Sequence, residues 1–317
     1  MIPETPIPAG NRKSLWLSAA ITALIAGLLS WLLIYVMDDY GIALFFLTPV
    51  FIGYFSTVFY GRSRQITRKQ AVGAGLLSLA IFSVGLLAFA MEGLICIAMA
   101  APLVIPVTCV SSLIGFAVLN RKHNNNWIIL LLAGSIPATA FIESSNRPPL
   151  RAVVTSIEIN ASAQAVWEQV IEFPVLKEPE EFIFKTGIAY PVNAKIEGAG
   201  IGAVRHCNFT TGSFVEPITV WDEPRLLKFD VAEQPAPLKE LSFWDVNAPH
   251  LHDYFVSREG QFKLVELPNG HTLLEGTTWY YHDIKPAFYW RIWSDYIIHK
   301  IHRRVLEHIK TNAENAQ

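Results

Sequence analysis

Cysteine is nearly absent from this chain: Cys96 and Cys109 fall in apolar runs and Cys207 stands alone further on. That excludes a disulfide framework and the zinc spacings built on paired thiols, and it leaves the redox compartment open. Charge is scarce as well, at 16% of residues against 52% hydrophobic, too little for an ordinary soluble globule. Also missing are a nucleotide-binding loop, a Ser/His/Asp order, a metal-binding helix motif and a cofactor fingerprint. No cofactor and no resident metal are therefore expected.

The scarcity of charge is uneven. Residues 1–150 hold nine Lys and Arg against five Asp and Glu, whereas residues 151–317 hold 16 against 22. An acidic second half lacks the basic face that nucleic acid requires, and it gains nothing electrostatically from anionic headgroups. Nucleic acid is excluded as a partner.

What the first half does contain is uncharged apolar sequence, in runs at 14–37, 42–60, 71–91 and 94–119. Each is long enough to cross a bilayer. The first follows a Pro-rich tail, 1–13, and ends in Met37-Asp38-Asp39 with no small-residue cleavage pattern, so it reads as a retained helix and not a signal peptide. A fifth run, 127–142, is shorter and contains Pro137. If it spans, the second half of the chain is exported; if it is re-entrant or interfacial, that half stays in the cytoplasm.

Basic residues occupy alternate connections. Arg12 and Lys13 precede the first run, Arg62, Arg64, Arg68 and Lys69 separate the second and third, and Arg121 and Lys122 follow the fourth; opposite them lie Asp38, Asp39 and Glu92. Positive residues mark the cytoplasmic side, which predicts a multi-pass protein of the cell (inner) membrane with its N-terminus inside. No predicted span carries a charge at its centre, and only Pro102 and Pro106 interrupt one, so the region 14–143 reads as an all-α transmembrane anchor of four to five helices more than as a transport path.

A Pro-rich linker, 144–150, divides the chain, and beyond it the apolar period changes to two. The expected order is a strand at 151–160, a helix capped by Asn160 or Ser162 and stopped at Pro174, and a second short helix at 177–184. Strands follow at 189–197, 201–210, 213–221 and 225–232, then a loop at 233–252, a hairpin of strands 255–267 and 271–282 around Pro268-Asn269-Gly270, and a long helix at 286–310. That helix carries Trp290, Trp293, Ile297, Ile301 and Val305 along one stripe. The whole is α+β, an antiparallel sheet wrapped around its last helix.

This order, the opening Val154-Thr155-Ser156-Ile157-Glu158-Ile159-Asn160-Ala161 with Ala165-Val166-Trp167, the Gly200-Ile201-Gly202 turn before Val204-Arg205 and the closing aromatic helix resemble the START-like (SRPBCC) superfamily. Its bacterial members are often called the polyketide cyclase/dehydrase and lipid transport group. The resemblance covers about residues 151–313, with 314–317 as a tail, and leaves the membrane region outside it. It implies a helix-grip fold with a cavity between sheet and last helix, suited to a hydrophobic small molecule or lipid. It does not choose between carriers, sensors, cyclases, dehydratases, hydrolases and interaction or stress-response modules.

Candidate site residues follow from the strand pattern. With Thr211-Gly212 as a two-residue turn, Phe209 pairs with Phe214, Cys207 with Glu216 and Arg205 with Ile218, and one face collects Arg205, Cys207, Phe209, Phe214 and Glu216. Arg205 and Glu216 then either orient a polar ligand group or form a salt bridge on the solvent face. Cys207 has no base on its face to make it a nucleophile. His250, in Pro249-His250-Leu251-His252-Asp253, is a rim candidate for ligand contact or proton transfer. Trp279, Tyr281, Trp290, Trp293 and Tyr296 are either core or ligand-lining aromatics. If the domain is an enzyme, Arg205, Glu216 and His250 are its acid–base candidates. His299 and His302, three apart, read as a polar helix flank.

Overall fold

The structure is a computed structural model, and it describes residues 9–120, 135–136, 138–139, 141–142, 148–244 and 246–316. The chain divides into two compact units, Met1–Arg147 with Ser242–Pro249, and Pro148–Leu241 with His250–Gln317.

The first unit is helical. Helices α1 (Ala9–Tyr35), α2 (Thr48–Gly61, entered through a π-helical turn at Ala43–Leu47), α3 (Arg68–Ala88) and α4 (Leu94–Leu119) coincide with the first four apolar runs. These four helices are long and apolar enough to cross a membrane. The fifth predicted run, 127–142, lies largely outside the described residues, as does most of the linker.

Small residues let the helices of this unit approach closely. A Cβ added at Gly53 would sit 2.0 Å from Ser111 Oγ and 2.4 Å from the Thr108 carbonyl oxygen, and one at Gly75 would sit 2.1 Å from Ser112 Oγ. The hydroxyls at this seam find backbone partners: Ser111 Oγ donates to Pro49 O at 3.3 Å and Thr57 Oγ1 to Ala71 O at 3.2 Å. In a lipid-like setting, where apolar burial does not drive helix pairing, close packing and such hydrogen bonds are what associate helices. Pro102 and Pro106 lie inside an unbroken α4.

The second unit is α+β. Its seven strands are β1 (Arg151–Ile159), β2 (Pro191–Glu197), β3 (Val204–Phe209), β4 (Gly212–Asp222), β5 (Leu226–Asp230), β6 (Phe255–Glu266) and β7 (Thr272–His282). They form one sheet in the order β1-β7-β6-β5-β4-β3-β2, every neighbouring pair antiparallel. Helix α5 (Ala163–Ile171) follows β1, its N-terminus capped by the Ser162 side chain accepting from Ala165 N. The last helix, α6 (Ala287–Asn315), outruns its predicted end.

Helix α6 touches both edges of the sheet. Thr155 of β1 bonds His302, while Arg304 Nε donates to Pro191 O of β2 at 3.2 Å. A helix can meet strands at opposite ends of a seven-stranded order only if the sheet curls around it, which is the helix-grip arrangement expected above. The core between them contains Trp167, Ile218, Leu227, Leu274, Leu306 and Ile309, and Trp167 packs edge-on against Trp221 at 5.6 Å.

One predicted element differs. Instead of a helix at 177–184 there is irregular chain followed by a short 3-10 helix at Phe182–Thr186. Pro179 disfavours helical backbone at Glu178 before it, and nearby backbone is engaged elsewhere: Leu176 N donates to Val192 O at 2.8 Å, and the Arg304 guanidinium holds Lys177 O.

Candidate functional site

The register of β3 against β4 decides what the sheet presents to α6. Thr210 and Thr211 make the turn, Phe209 faces Gly212, Cys207 faces Phe214 and Arg205 faces Glu216 directly. The expected pairing was therefore two residues out of step. Because side chains alternate with a period of two, a slip of two keeps every residue on its predicted face. Arg205, Cys207, Phe209, Phe214 and Glu216 do share one face, and it is the concave one: Arg205 is 2% exposed and Glu216 6%. The reading of these two as a solvent-face salt bridge is thus corrected.

Between this face and α6 lies a cavity of about 120 Å³. Its wall includes the five residues just named, Phe229 of β5, Phe255, Ser257 and Phe262 of β6, Thr278 of β7, and Ile298, Ile301, His302, Val305 and Leu306 of α6. Gly260 and Gly276 leave room in the floor.

Arg205 is the most engaged group on this wall. Its guanidinium bonds the Glu216 carboxylate, its Nε donates to Ile171 O at 3.2 Å, and its charge lies 5.5 Å from the ring centres of Phe173, Phe229 and Phe262. A charge taken out of water needs such compensation. Burial works against ionisation of the guanidinium, and Glu216 beside it more than restores it. Burial likewise raises the Glu216 carboxyl above its ordinary range, with Arg205 pulling the other way. Cys207 is pushed up to about 12, by burial first and the Glu216 charge second, so it is a thiol at neutral pH and not a nucleophile.

His302, expected on a polar flank, is half-buried at the cavity wall. Its Nδ1 is 3.1 Å from Thr155 Oγ1 and its Nε2 2.7 Å from Thr278 Oγ1. Burial, then neighbouring His299, lowers it to about 4; the ring is neutral and both nitrogens are engaged. His299 shares Thr155 Oγ1 at 2.8 Å.

Other expected site residues lie elsewhere. Thr278 and Tyr280 point to α6, bonding His302 and Asp295, so alternation sends Trp279 and Tyr281 to the opposite face of β7. There Lys228 lies over Trp279 at 5.2 Å and Arg258 over Tyr281 at 5.3 Å. On α6, Trp290 is buried against Tyr289, Trp293 is half-buried, and Tyr296 is exposed with Lys300 over its ring. None of these five lines the cavity, which uses the next turns of the helix. His250 sits in the 3-10 turn Pro249–Leu251, its Nε2 3.9 Å from Glu240 Oε1, and is lowered to about 4 by burial and then His252. It too is away from the cavity.

Of the sequence candidates, Arg205, Phe209, Phe214 and Glu216 come together. Ser257, His302 and the Phe229–Phe255–Phe262 set were missed; an alternation count on β6 could not find Ser257, because a register shift between Ser257 and Glu259 reverses its face.

No family model matches the chain, and no curated protein matches it. Among solved structures, the second half is similar to a norcoclaurine synthase point mutant from Thalictrum flavum bound to a transition-state analogue, at 13% identity over 54% of this chain and 99% of that one, TM-score 0.36. A protein from Nitrosospira multiformis is similar at 17% identity, covering 53% and 100%, TM-score 0.34. The Aha1 dimer from Colwellia psychrerythraea is similar at 14% identity, covering 52% and 96%, TM-score 0.30.

Proposed function

We propose that this chain is an integral membrane protein whose helix-grip domain captures a hydrophobic small molecule between its sheet and last helix, as a carrier or sensor. The observation that carries the reading is the cavity itself: an aromatic and aliphatic chamber with one buried ion pair, Arg205–Glu216, on its wall. Sites that hold small molecules have this composition, mostly apolar with few polar groups to fix orientation. The bilayer is the proposed source, since a tethered domain meets membrane-dissolved compounds at a raised effective concentration. The N-terminus is proposed to be cytoplasmic, which the basic connection 62–69 supports.

The alternative of a cyclase, dehydratase or hydrolase has less behind it. Glu216 is engaged by Arg205, Cys207 is protonated, and His302 is held between two hydroxyls. The test is solvent extraction of the purified full chain followed by mass spectrometry, beside a Gly276→Val variant that narrows the chamber. A stoichiometric compound present in the wild type and lost from the folded variant supports the reading. Identical extracts from both proteins overturn it.

A further inference from the structure

Resting on that reading, we infer that the cavity accepts an uncharged compound the size of a single ring and rejects both ions and whole lipid chains. Two independent observations bear on this.

The first is charge accounting around the wall. Arg205 is the cavity's one guanidinium, and its charge is already matched by Glu216, a carbonyl and three rings. Glu216 is matched in return, and the wall's other carboxylate, Glu259, is held by Lys228 at 2.6 Å. A carboxylate entering the chamber would face Glu216 across a short apolar space, and an ammonium would face Arg205. His302 offers no counter-charge, being bonded at both nitrogens by Thr155 and Thr278. Either ion would be stripped of water without a partner, which disfavours it strongly. A neutral hydroxyl or carbonyl meets no such cost, and Ser257 is a hydroxyl on the same wall.

The second is size. The cavity measures about 120 Å³, close to the roughly 150 Å³ of a dry engineered chamber that takes benzene. A long acyl chain carries more than twice the carbon atoms of one ring. Five phenylalanines stand on the wall, and Phe209 and Phe214 meet at 4.8 Å across the β3–β4 hairpin, which suits edge contacts to a flat guest.

Fluorine NMR on the full chain in detergent micelles tests both halves of the claim. The probes are 4-fluorophenol, 4-fluorobenzoate and 4-fluorobenzylammonium, with 1-hexadecanol as an uncharged long-chain competitor. Gly276 supplies the control for micelle partitioning, because a Cβ there would lie 3.7 Å from Leu306 and 3.8 Å from Phe262, ordinary contact distances. Gly276→Val narrows the chamber, Gly276→Ala does so by less, and thermal melting shows that each is folded. The expected result is saturable binding of 4-fluorophenol, at least tenfold weaker in Gly276→Val and intermediate in Gly276→Ala, with both charged analogues at least tenfold weaker still. Equal binding of either ion overturns the charge claim. Displacement by 1-hexadecanol overturns the size claim while leaving a ligand-binding cavity. If no probe or competitor gives a Gly276-dependent signal, the inference and the proposed function fall together.

Discussion

Arg205 and Glu216 show how one buried pair can hold a site together. Each is nearly excluded from solvent, so removing one leaves the other uncompensated. Glu216→Gln is expected to destabilise the domain by about 3–5 kcal/mol, whereas replacing both residues by apolar ones of similar size should recover most of the loss. Chemical denaturation of the full chain measures both; a single variant as stable as the wild type would contradict the account. His302 supplies a pH signature. Its folded value, about 4, lies below the ordinary 6.5. Between those values the unfolded chain binds a proton that the folded one does not, so the stabilisation is complete above pH 6.5 and is lost as pH falls towards 4. The full effect is of order 3 kcal/mol. His250 has the same sign, so the comparison should be internal: from pH 7 to pH 5, His302→Gln is expected to lose less melting temperature than the wild type. Parallel curves would show that His302 is not held neutral.

At the scale of elements, much was legible because two periods are robust. Alternation placed Arg205, Phe209, Phe214 and Glu216 on one face despite the wrong turn, since the error was even. The same rule could not choose a face for β7, where Leu274 and Tyr280 on one side are matched by Leu273, Trp279 and Tyr281 on the other; only the partner helix decides. On α6 the apolar residues are spread around the N-terminal turns, so the stripe of Trp290, Trp293 and Ile297 was as good on paper as the buried set of Trp290, Ser294 and Ile298. Ser294 hides in that set by donating to Trp290 O at 3.1 Å, a bond no pattern announces.

The helical unit makes its own prediction. Gly53→Ala meets a backbone carbonyl and should cost about 1–3 kcal/mol. Gly75→Ala meets chiefly the Ser112 hydroxyl, which can rotate, and should cost less. Gly73→Ala meets nothing within 4 Å and should be neutral or slightly stabilising. Thermal unfolding in micelles ranks the three, and the reverse order would contradict this packing.

For the whole molecule, the four apolar helices and the basic connections predict a topology. Reporter fusions after Gly10 and within 62–69 are expected on the cytoplasmic side, and one at Asp38 on the opposite side; any other pattern would overturn the orientation. The central claim is that the helix-grip domain is built around a filled chamber. Its most direct test is an experimental density map of the full chain prepared with no ligand added. The account predicts a compact, ring-sized feature between the β3–β4 hairpin and the Ile298–Leu306 stretch of α6, in contact with Phe214 and within reach of Ser257. A chamber closed by side chains, or holding only ordered water, would contradict it.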